Sequence, residues 1–228
     1  MKILSIETAG NICAVALTED NNLITEEILE DGNTHSVKLM PLVDKLLKET
    51  HTTVNDIDLF ACDIGPGSFT GIRIGVSTIK AFIDVTNKKA VGVSSLEILA
   101  RNVDEDGIIC SLLDAKNNNV YCGLFGKRVN KYTQIDELKF DNINNIIDFV
   151  KNKNKKIIFV GNGSIAHKDV IESEMKEAII VLDEEKNKLN ARNIGIIAFE
   201  KKNEALDTNH LKPLYLRASN AEREMFKK

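Results

Sequence analysis

What this 228-residue sequence lacks narrows its chemistry before any motif is read. It has no long basic block, and a formal net charge of -4 gives direct, independent nucleic-acid binding little electrostatic support. A role on RNA would therefore run through a partner. The densest basic cluster, Lys151, Lys153, Lys155 and Lys156, falls between an expected helix and an expected strand, where a solvated helix end accounts for it. The four cysteines, Cys13, Cys62, Cys110 and Cys122, are widely spaced in apolar runs, and no pair has metal-site or redox spacing. They read as buried free thiols in a reducing compartment. No apolar run approaches membrane-span length, and Met1-Lys2-Ile3-Leu4-Ser5-Ile6-Glu7 turns acidic too soon for a signal peptide, so the expected location is cytoplasmic, with no membrane partner. His35, His51, His167 and His210 form no close pair, and nothing matches the two-histidine helix spacing of a metalloprotease. His35 is expected at a helix start, His51 in the loop after it, and the other two on surface segments. No Gly-Lys-Ser or Gly-Lys-Thr closes a glycine turn, which removes the phosphate P-loop.

What is present suffices for a substantial core. With 43% hydrophobic and 28% charged residues, the chain suits one large or two small domains, and two small ones is the working expectation. Ile3 to Thr8, Ile12 to Thr18 and Leu23 to Leu29 read as strands of an antiparallel meander. After Asp31-Gly32-Asn33, His35 to Glu49 has helical spacing, with Leu39, Leu42, Val43, Leu46 and Leu47 on one stripe. Val37 and Met40 widen its apolar arc, and Pro41 falls inside the pattern, tolerable near the first turn or at a kink. Asp58 to Ile64 suits a buried strand. Ile72 to Val85 suits a helix striped by Ile72, Val76, Ile79 and Ile83, with Ile74, Phe82 and Val85 beside the stripe. Two helices with such wide arcs either lie deep in their own fold or pack against a second domain or chain.

The order then repeats. Ala90 to Val93 reads as a strand, with Ser94 or Ser95 capping a helix through Leu96. Ile108 to Leu113, Val120 to Phe125 and a weaker segment from Tyr132 to Phe140 read as further strands. Asp141 is placed to cap a helix from Ile143 to Val150, followed by the strand Lys156 to Val160 and the turn Gly161-Asn162-Gly163-Ser164. Ala178 to Leu182 reads as a strand, Ala191 to Glu200 as a helix capped by Asn190, and Leu211 to Arg217 as extended chain around Pro213. The boundaries this gives are 1–95, 96–210 and a C-terminal extension 211–228. Two α/β halves, each a mixed sheet with helices, suggest the duplicated architecture of actin, sugar kinases and the heat-shock ATPases, which indicates fold and not function.

The most specific stretch is Gly65-Pro66-Gly67-Ser68-Phe69-Thr70-Gly71-Ile72-Arg73-Ile74-Gly75, between that buried strand and the helix after it. Its glycines permit a sharp turn and close packing, and Ser68 or Thr70 can cap the helix. Such a turn binds an anion or simply begins a helix. A dinucleotide loop does not fit: the last glycine comes one residue late, the unit is not the first strand, and no acid ends the strand near Val91-Gly92-Val93. Arg73, in the first turn, opposes the helix dipole and calls for an internal carboxylate, a phosphate or a partner.

This stretch closely resembles the signature of the TsaB family, also called YeaZ, a paralogue of the glycoprotease-like TsaD proteins. Ile3-Leu4-Ser5-Ile6-Glu7-Thr8 with Ala14-Val15-Ala16-Leu17 is similar to the family's first hairpin, and His35-Ser36 through Leu39-Met40-Pro41-Leu42 to its first helix. Asp114-Ala115 with Val120-Tyr121, and Pro213-Leu214-Tyr215-Leu216-Arg217, resemble two later segments, so the likeness spans nearly the whole chain. Lys116 stands where many relatives have arginine, which weakens any bidentate contact there.

The resemblance implies a noncatalytic scaffold or activator, not a functional peptidase. It would bind a TsaD transferase and work with the ATPase TsaE in threonylcarbamoylation of adenosine 37 of tRNAs reading codons that begin with A. Nucleotide and metal are then expected on the partners and no cofactor on this chain, with tRNA reached mainly through the complex. Glu7, where kinase-like relatives often carry aspartate, disfavours metal-bridged phosphate chemistry because its extra methylene displaces the carboxylate. The candidate interface is Val37, Met40, Leu47, Ile74, Thr78 and Phe82, a face that also serves a homodimer when the partner is absent. The alternative is a nucleotide-binding or weakly hydrolytic enzyme acting alone, with a site between the halves involving Gly65, Gly67, Asp114, Gly161 and Gly163.

Overall fold

The computed structural model describes residues 1–30, 35–129, 131–153 and 156–217. In chain order the first elements are β1 (Lys2–Glu7), β2 (Cys13–Glu19), β3 (Asn22–Leu29), α1 (His35–Glu49), β4 (Leu59–Gly65), α2 (Phe69–Thr86), β5 (Lys89–Ser94) and α3 (Ser95–Ala100). They are followed by β6 (Gly107–Asp114), β7 (Asn119–Arg128), β8 (Lys131–Gln134), β9 (Lys139–Asn142), α4 (Ile143–Lys151), β10 (Ile157–Val160), α5 (Asn162–Ala166), α6 (Lys168–Glu174), β11 (Ile179–Ile180) and α7 (Ala191–Glu200). Among the described residues no helix is long and apolar enough to cross a membrane.

Two compact units result. The first is Met1–Ile98 with Leu189–Leu214, and the second is Leu99–Lys188 with, among the described residues, 215–217. This differs from boundaries at 95/96 and 210/211, because the chain returns to the first unit at Leu189. The cause is local. Glu26 Oε1 accepts the N–H groups of Ala191 and Arg192 at 2.8 and 3.0 Å, and Ser5 Oγ donates to the Ala191 carbonyl at 2.7 Å. Gly195 has no Cβ where one would meet Thr18 Oγ1 at 2.6 Å, so α7 lies close on β2.

The first sheet runs β3-β2-β1-β4-β5, antiparallel from β1 to β3 and parallel from β1 to β5. Alternation sorts its faces. Cys13, Val15 and Leu17 of β2 share a core with the inward stripes of α1 and α2, while Ala14 and Ala16 meet Ala191 of α7 on the other side. Burying each large aliphatic side chain in that core contributes about 1.5–3 kcal/mol. Within the second unit the sheet order β11-β10-β6-β7-β8 repeats the plan, again antiparallel along β6-β7-β8 and parallel along β6-β10-β11. The duplicated α/β architecture is therefore present, β6 standing for β1 and β10 for β4, with β9 as a sixth strand that also pairs with β7.

Several local expectations differ from the structure. α2 begins at Phe69, three residues before the expected Ile72, because Ser68 caps it, accepting from Gly71 N at 3.2 Å. α1 runs unbroken through Pro41. Pro41 and Val37 are both exposed, so the helical bond that proline deletes is on the solvated side. Asn142, not Asp141, caps α4, accepting from Asn144 N at 3.0 Å, while Asp141 accepts from Asn145 Nδ2 at 2.8 Å. The weak segment from Tyr132 to Phe140 resolves into β8 and β9, which pair with opposite ends of β7. Lys151 and Lys153 are neutralised by Glu174 and Asp136, both at 2.5 Å; Lys155 lies outside the described residues.

Candidate functional site

The glycine stretch is closed by the protein's own β1–β2 hairpin. At Gly65 the backbone turns with φ +106° at the end of β4, and the Gly65–Pro66 bond is cis. Ser68 N donates to the Ala9 carbonyl at 2.8 Å, and Thr8 Oγ1 donates to the Gly71 carbonyl at 2.8 Å. A Cβ on Gly67 would stand 2.6 Å from the Ala9 carbonyl oxygen, and one on Gly71 only 1.9 Å from that of Thr8. The space these glycines would offer a phosphate is filled by Thr8 and Ala9. Three further donors are used as well: Gly65 N bonds Asp63 Oδ1 at 2.6 Å, Gly71 N bonds Ser68 Oγ, and Ile72 N bonds the Ser68 carbonyl at 2.9 Å. An anion at this helix start would have to displace all of these bonds.

Beneath the turn lie two acids. Glu7 ends β1 and Asp63 lies next to it on β4; their exposures are 0% and 1%. Glu7 Oε1 accepts from Gly10 N at 2.8 Å. Asp63 Oδ1 accepts from Gly65 N and, at 2.7 Å, from Ser95 Oγ. Burial, and then the charge and hydrogen bonding of Asp63, push the Glu7 carboxyl well above the ordinary carboxylate range. Burial also pushes Asp63 up to about 6, opposed by its hydrogen bonds to Glu7, Ser95 and Gly65. Among the described residues no group of three or more His, Cys, Asp or Glu side chains is placed to hold a metal ion.

In the second unit the corresponding strand end carries Asp114, which is only partly covered. Its backbone N–H bonds Asn162 Oδ1 at 3.0 Å, and its carboxylate meets Lys116 N at 3.0 Å and Lys116 Nζ at 3.1 Å. Burial works against ionisation here, but those Lys116 contacts, with the nearby His167, hold the Asp114 carboxyl below its ordinary value. Gly161 and Gly163 again serve close approach: a Cβ on either would stand 2.2 or 2.9 Å from Leu112 backbone atoms. Arg217 Nη1 donates to the Ala115 carbonyl at 3.2 Å while its guanidinium lies 4.7 Å from the Phe140 ring centroid. Thus Gly65 and Gly67 are grouped in one unit, and Asp114, Gly161 and Gly163 in the other.

The six interface candidates separate by exposure. Val37 and Met40 are 67% and 49% exposed, but Leu47, at 8%, belongs to the inward stripe of α1 and not to its outer arc. Ile74 and Phe82 are half-buried against the same core, Phe82 stacking on Phe60 with ring centroids 5.4 Å apart. Thr78 Oγ1 donates to the Ile74 carbonyl at 2.9 Å, and the exposed Arg73 lies 5.6 Å from the Phe69 ring centroid. His35 Nε2 is 3.3 Å from the Gly10 carbonyl, whereas His167, expected on the surface, is largely enclosed, 3.9 Å from Asp114. Cys110 and Cys122 are free and buried, with sulfurs 3.7 Å apart. The pairing of Asp63 with Glu7 escapes sequence reading, although an acid inside the apolar run Phe60-Ala61-Cys62-Asp63-Ile64 is its visible trace.

These features define a duplicated α/β protein of the actin and sugar-kinase type, whose glycine turn is packed by its own hairpin. Comparison with known proteins agrees. Residues 29–225 match the model of the family described as TsaD, tRNA N6-adenosine threonylcarbamoyltransferase. The tRNA threonylcarbamoyladenosine biosynthesis protein TsaB of Bacillus subtilis is 31% identical, covering 97% of this chain and 96% of its own. A YeaZ structure from Pseudomonas aeruginosa shares the fold with TM-score 0.73 and 20% identity, over 94% of this chain and 99% of that one. The Lmo2764 protein of Listeria monocytogenes, a candidate N-acetylmannosamine kinase, aligns at TM-score 0.50 and 11% identity, over 89% of this chain and 100% of its own. The chain belongs to the TsaB family.

Replacing Gly71 with alanine drives a methyl group into the Thr8 carbonyl. Urea unfolding should show Gly71→Ala less stable by about 3 kcal/mol, the upper end for overpacking a well-fitted site. A loss within error of zero would mean that the hairpin does not pack there in solution.

Proposed function

We propose that this chain acts in tRNA threonylcarbamoyladenosine biosynthesis as a noncatalytic subunit, binding and activating a TsaD-type transferase that works with the ATPase TsaE. The reaction is threonylcarbamoylation of adenosine 37 in tRNAs reading codons that begin with A. The observation that carries this reading is the filled glycine turn: the N–H groups of Gly65, Ser68, Gly71 and Ile72 are engaged within the chain, and Thr8 and Ala9 pack where a Cβ or a phosphate would sit. Nucleotide and metal chemistry is assigned to the partners, and tRNA is met through the assembly, in keeping with a net charge of -4.

The docking face is assigned to the outer sides of α1 and α2. Val37 and Met40 supply exposed apolar surface, while Ile74, Thr78 and Phe82 form its half-buried floor. Burial at about 25 cal/mol per Å² favours association there, against a large entropic cost. The same face joins two copies of the chain when the partner is absent. Phe82 is a poor probe, because it supports Phe60 in the core.

Two measurements test this reading. The double substitution Val37→Glu with Met40→Glu should leave thermal unfolding nearly unchanged, since both side chains are exposed, and should abolish capture of TsaD. Retained capture by the folded double variant puts the interface elsewhere. Calorimetry of the isolated chain with millimolar ATP or ADP should register no binding heat; a saturable heat would favour the nucleotide-enzyme alternative.

A further inference from the structure

We propose that Glu7 and Asp63 hold one proton between them, carried by Glu7 and donated to an ionised Asp63, and that this shared proton ties the β1–β2 hairpin to the turn that launches α2. The inference is independent of what the chain binds.

The geometry leaves little else. In the parallel register of β1 and β4, Ile6 faces Cys62, so Glu7 and Asp63 come next as neighbours. Each has one oxygen accounted for: Glu7 Oε1 by Gly10 N, and Asp63 Oδ1 by Gly65 N and Ser95 Oγ. The other two, Glu7 Oε2 and Asp63 Oδ2, are sealed from solvent and have no hydrogen-bond partner in the structure, while the two carboxyls are close enough to interact through their side chains. Among the described residues neither acid has an ion-pair partner, so two ionised carboxylates would place two uncompensated like charges in the interior, at prohibitive cost. A single proton turns the repulsion into a charge-assisted hydrogen bond. Asp63 is the ionised member because both Gly65 N and Ser95 Oγ donate to it, at 2.6 and 2.7 Å, whereas Glu7 receives only backbone N–H groups, from Gly10 at 2.8 Å and from Ala9.

The surrounding groups leave that proton in place. Cys13 on β2 and Cys62 on β4 are thiols whose ionisation burial pushes up, Cys13 to about 11. From α1, His35 reaches the Gly10 carbonyl and not the carboxylates. On α2, Arg73 is exposed. Glu97 of α3 is taken by Lys201 at 2.6 Å, and on α7 Asn193 donates to the Ile98 carbonyl while Arg192 is exposed. Through Gly10 and Gly65 the two acids hold the backbone on either side of the closed turn.

The sign of the pH dependence follows. Glu7 titrates above its unfolded value, so its proton stabilises the fold fully at low pH, and the stabilisation is lost as pH rises toward the raised value. Asp63 contributes the same trend only up to about 6. Above that, one extra proton on the folded chain lowers the folding equilibrium constant about tenfold per pH unit until Glu7 itself ionises. In Glu7→Gln the amide donates to Asp63 in place of the proton, and position 7 has nothing left to titrate. Urea unfolding of the full chain between about pH 6 and pH 8 should therefore be steeper in pH for the natural protein than for the Glu7→Gln variant by one proton. Carboxyl-carbon NMR of the natural protein should show Glu7 protonated at neutral pH. Equal slopes in the two proteins, or a Glu7 carboxyl that titrates in the ordinary range, would overturn the proposal; if the variant does not fold, the NMR titration decides alone.

Discussion

The close approach of Thr8 and Ala9 to the first turn of α2 is the constraint on which the rest of the first unit depends. Only residues without a Cβ let the Thr8 carbonyl sit where it does against Gly71, and the hydrogen bonds from Ser68 N and Thr8 Oγ1 hold it there. That contact sets the angle at which α2 leaves β4. The angle in turn brings Ile72, Val76, Ile79 and Ile83 onto the sheet beside the stripe of α1. The glycines of this motif are required by sterics: a Cβ on Gly67 or Gly71 would meet the backbone of Ala9 or Thr8.

The duplicated sheet order makes the two halves comparable residue by residue at their strand ends. Each has an acid at the end of its central strand and a glycine turn after the next parallel strand. Glu7 is wholly buried and raised in pKa; Asp114 is partly covered, paired with Lys116 and lowered. The same topological position therefore supports opposite electrostatics, decided by whether a second carboxylate or a lysine stands beside it. In the first half, the extra buried acid Asp63 stands beside the strand end, and both carboxyl groups accept hydrogen bonds from the turn backbone.

Much of this was legible in sequence because it depends on local periodicity and capping. The opening meander, α1 from His35 to Glu49, and α7 with its Asn190 cap follow directly from residue pattern. The repeat of element order was readable for the same reason. Features that depend on long-range contact were not. The return of Leu189–Leu214 to the first unit rests on Glu26 capping a helix 165 residues later in the chain. Leu47 turns inward because the stripe it shares with Val43 and Leu46 faces the sheet, a choice that an arc apolar on two sides leaves open. Asn142 displaces Asp141 as a cap within a single residue, below what propensity distinguishes. Short pieces such as α5 and α6 carry too few residues for a period to register.

Family membership and the closed turn together lead to the proposed role, in which the surface of the chain, and not its strand ends, does the work. The most direct test is reconstitution of tRNA threonylcarbamoylation from purified TsaD and TsaE, with threonylcarbamoyl-adenylate supplied, in the presence and absence of this chain. The account predicts no modification and no ATP hydrolysis by the chain alone, and restored modification when it is added to the other two. Turnover by the isolated chain, or full activity of TsaD and TsaE without it, would contradict the account.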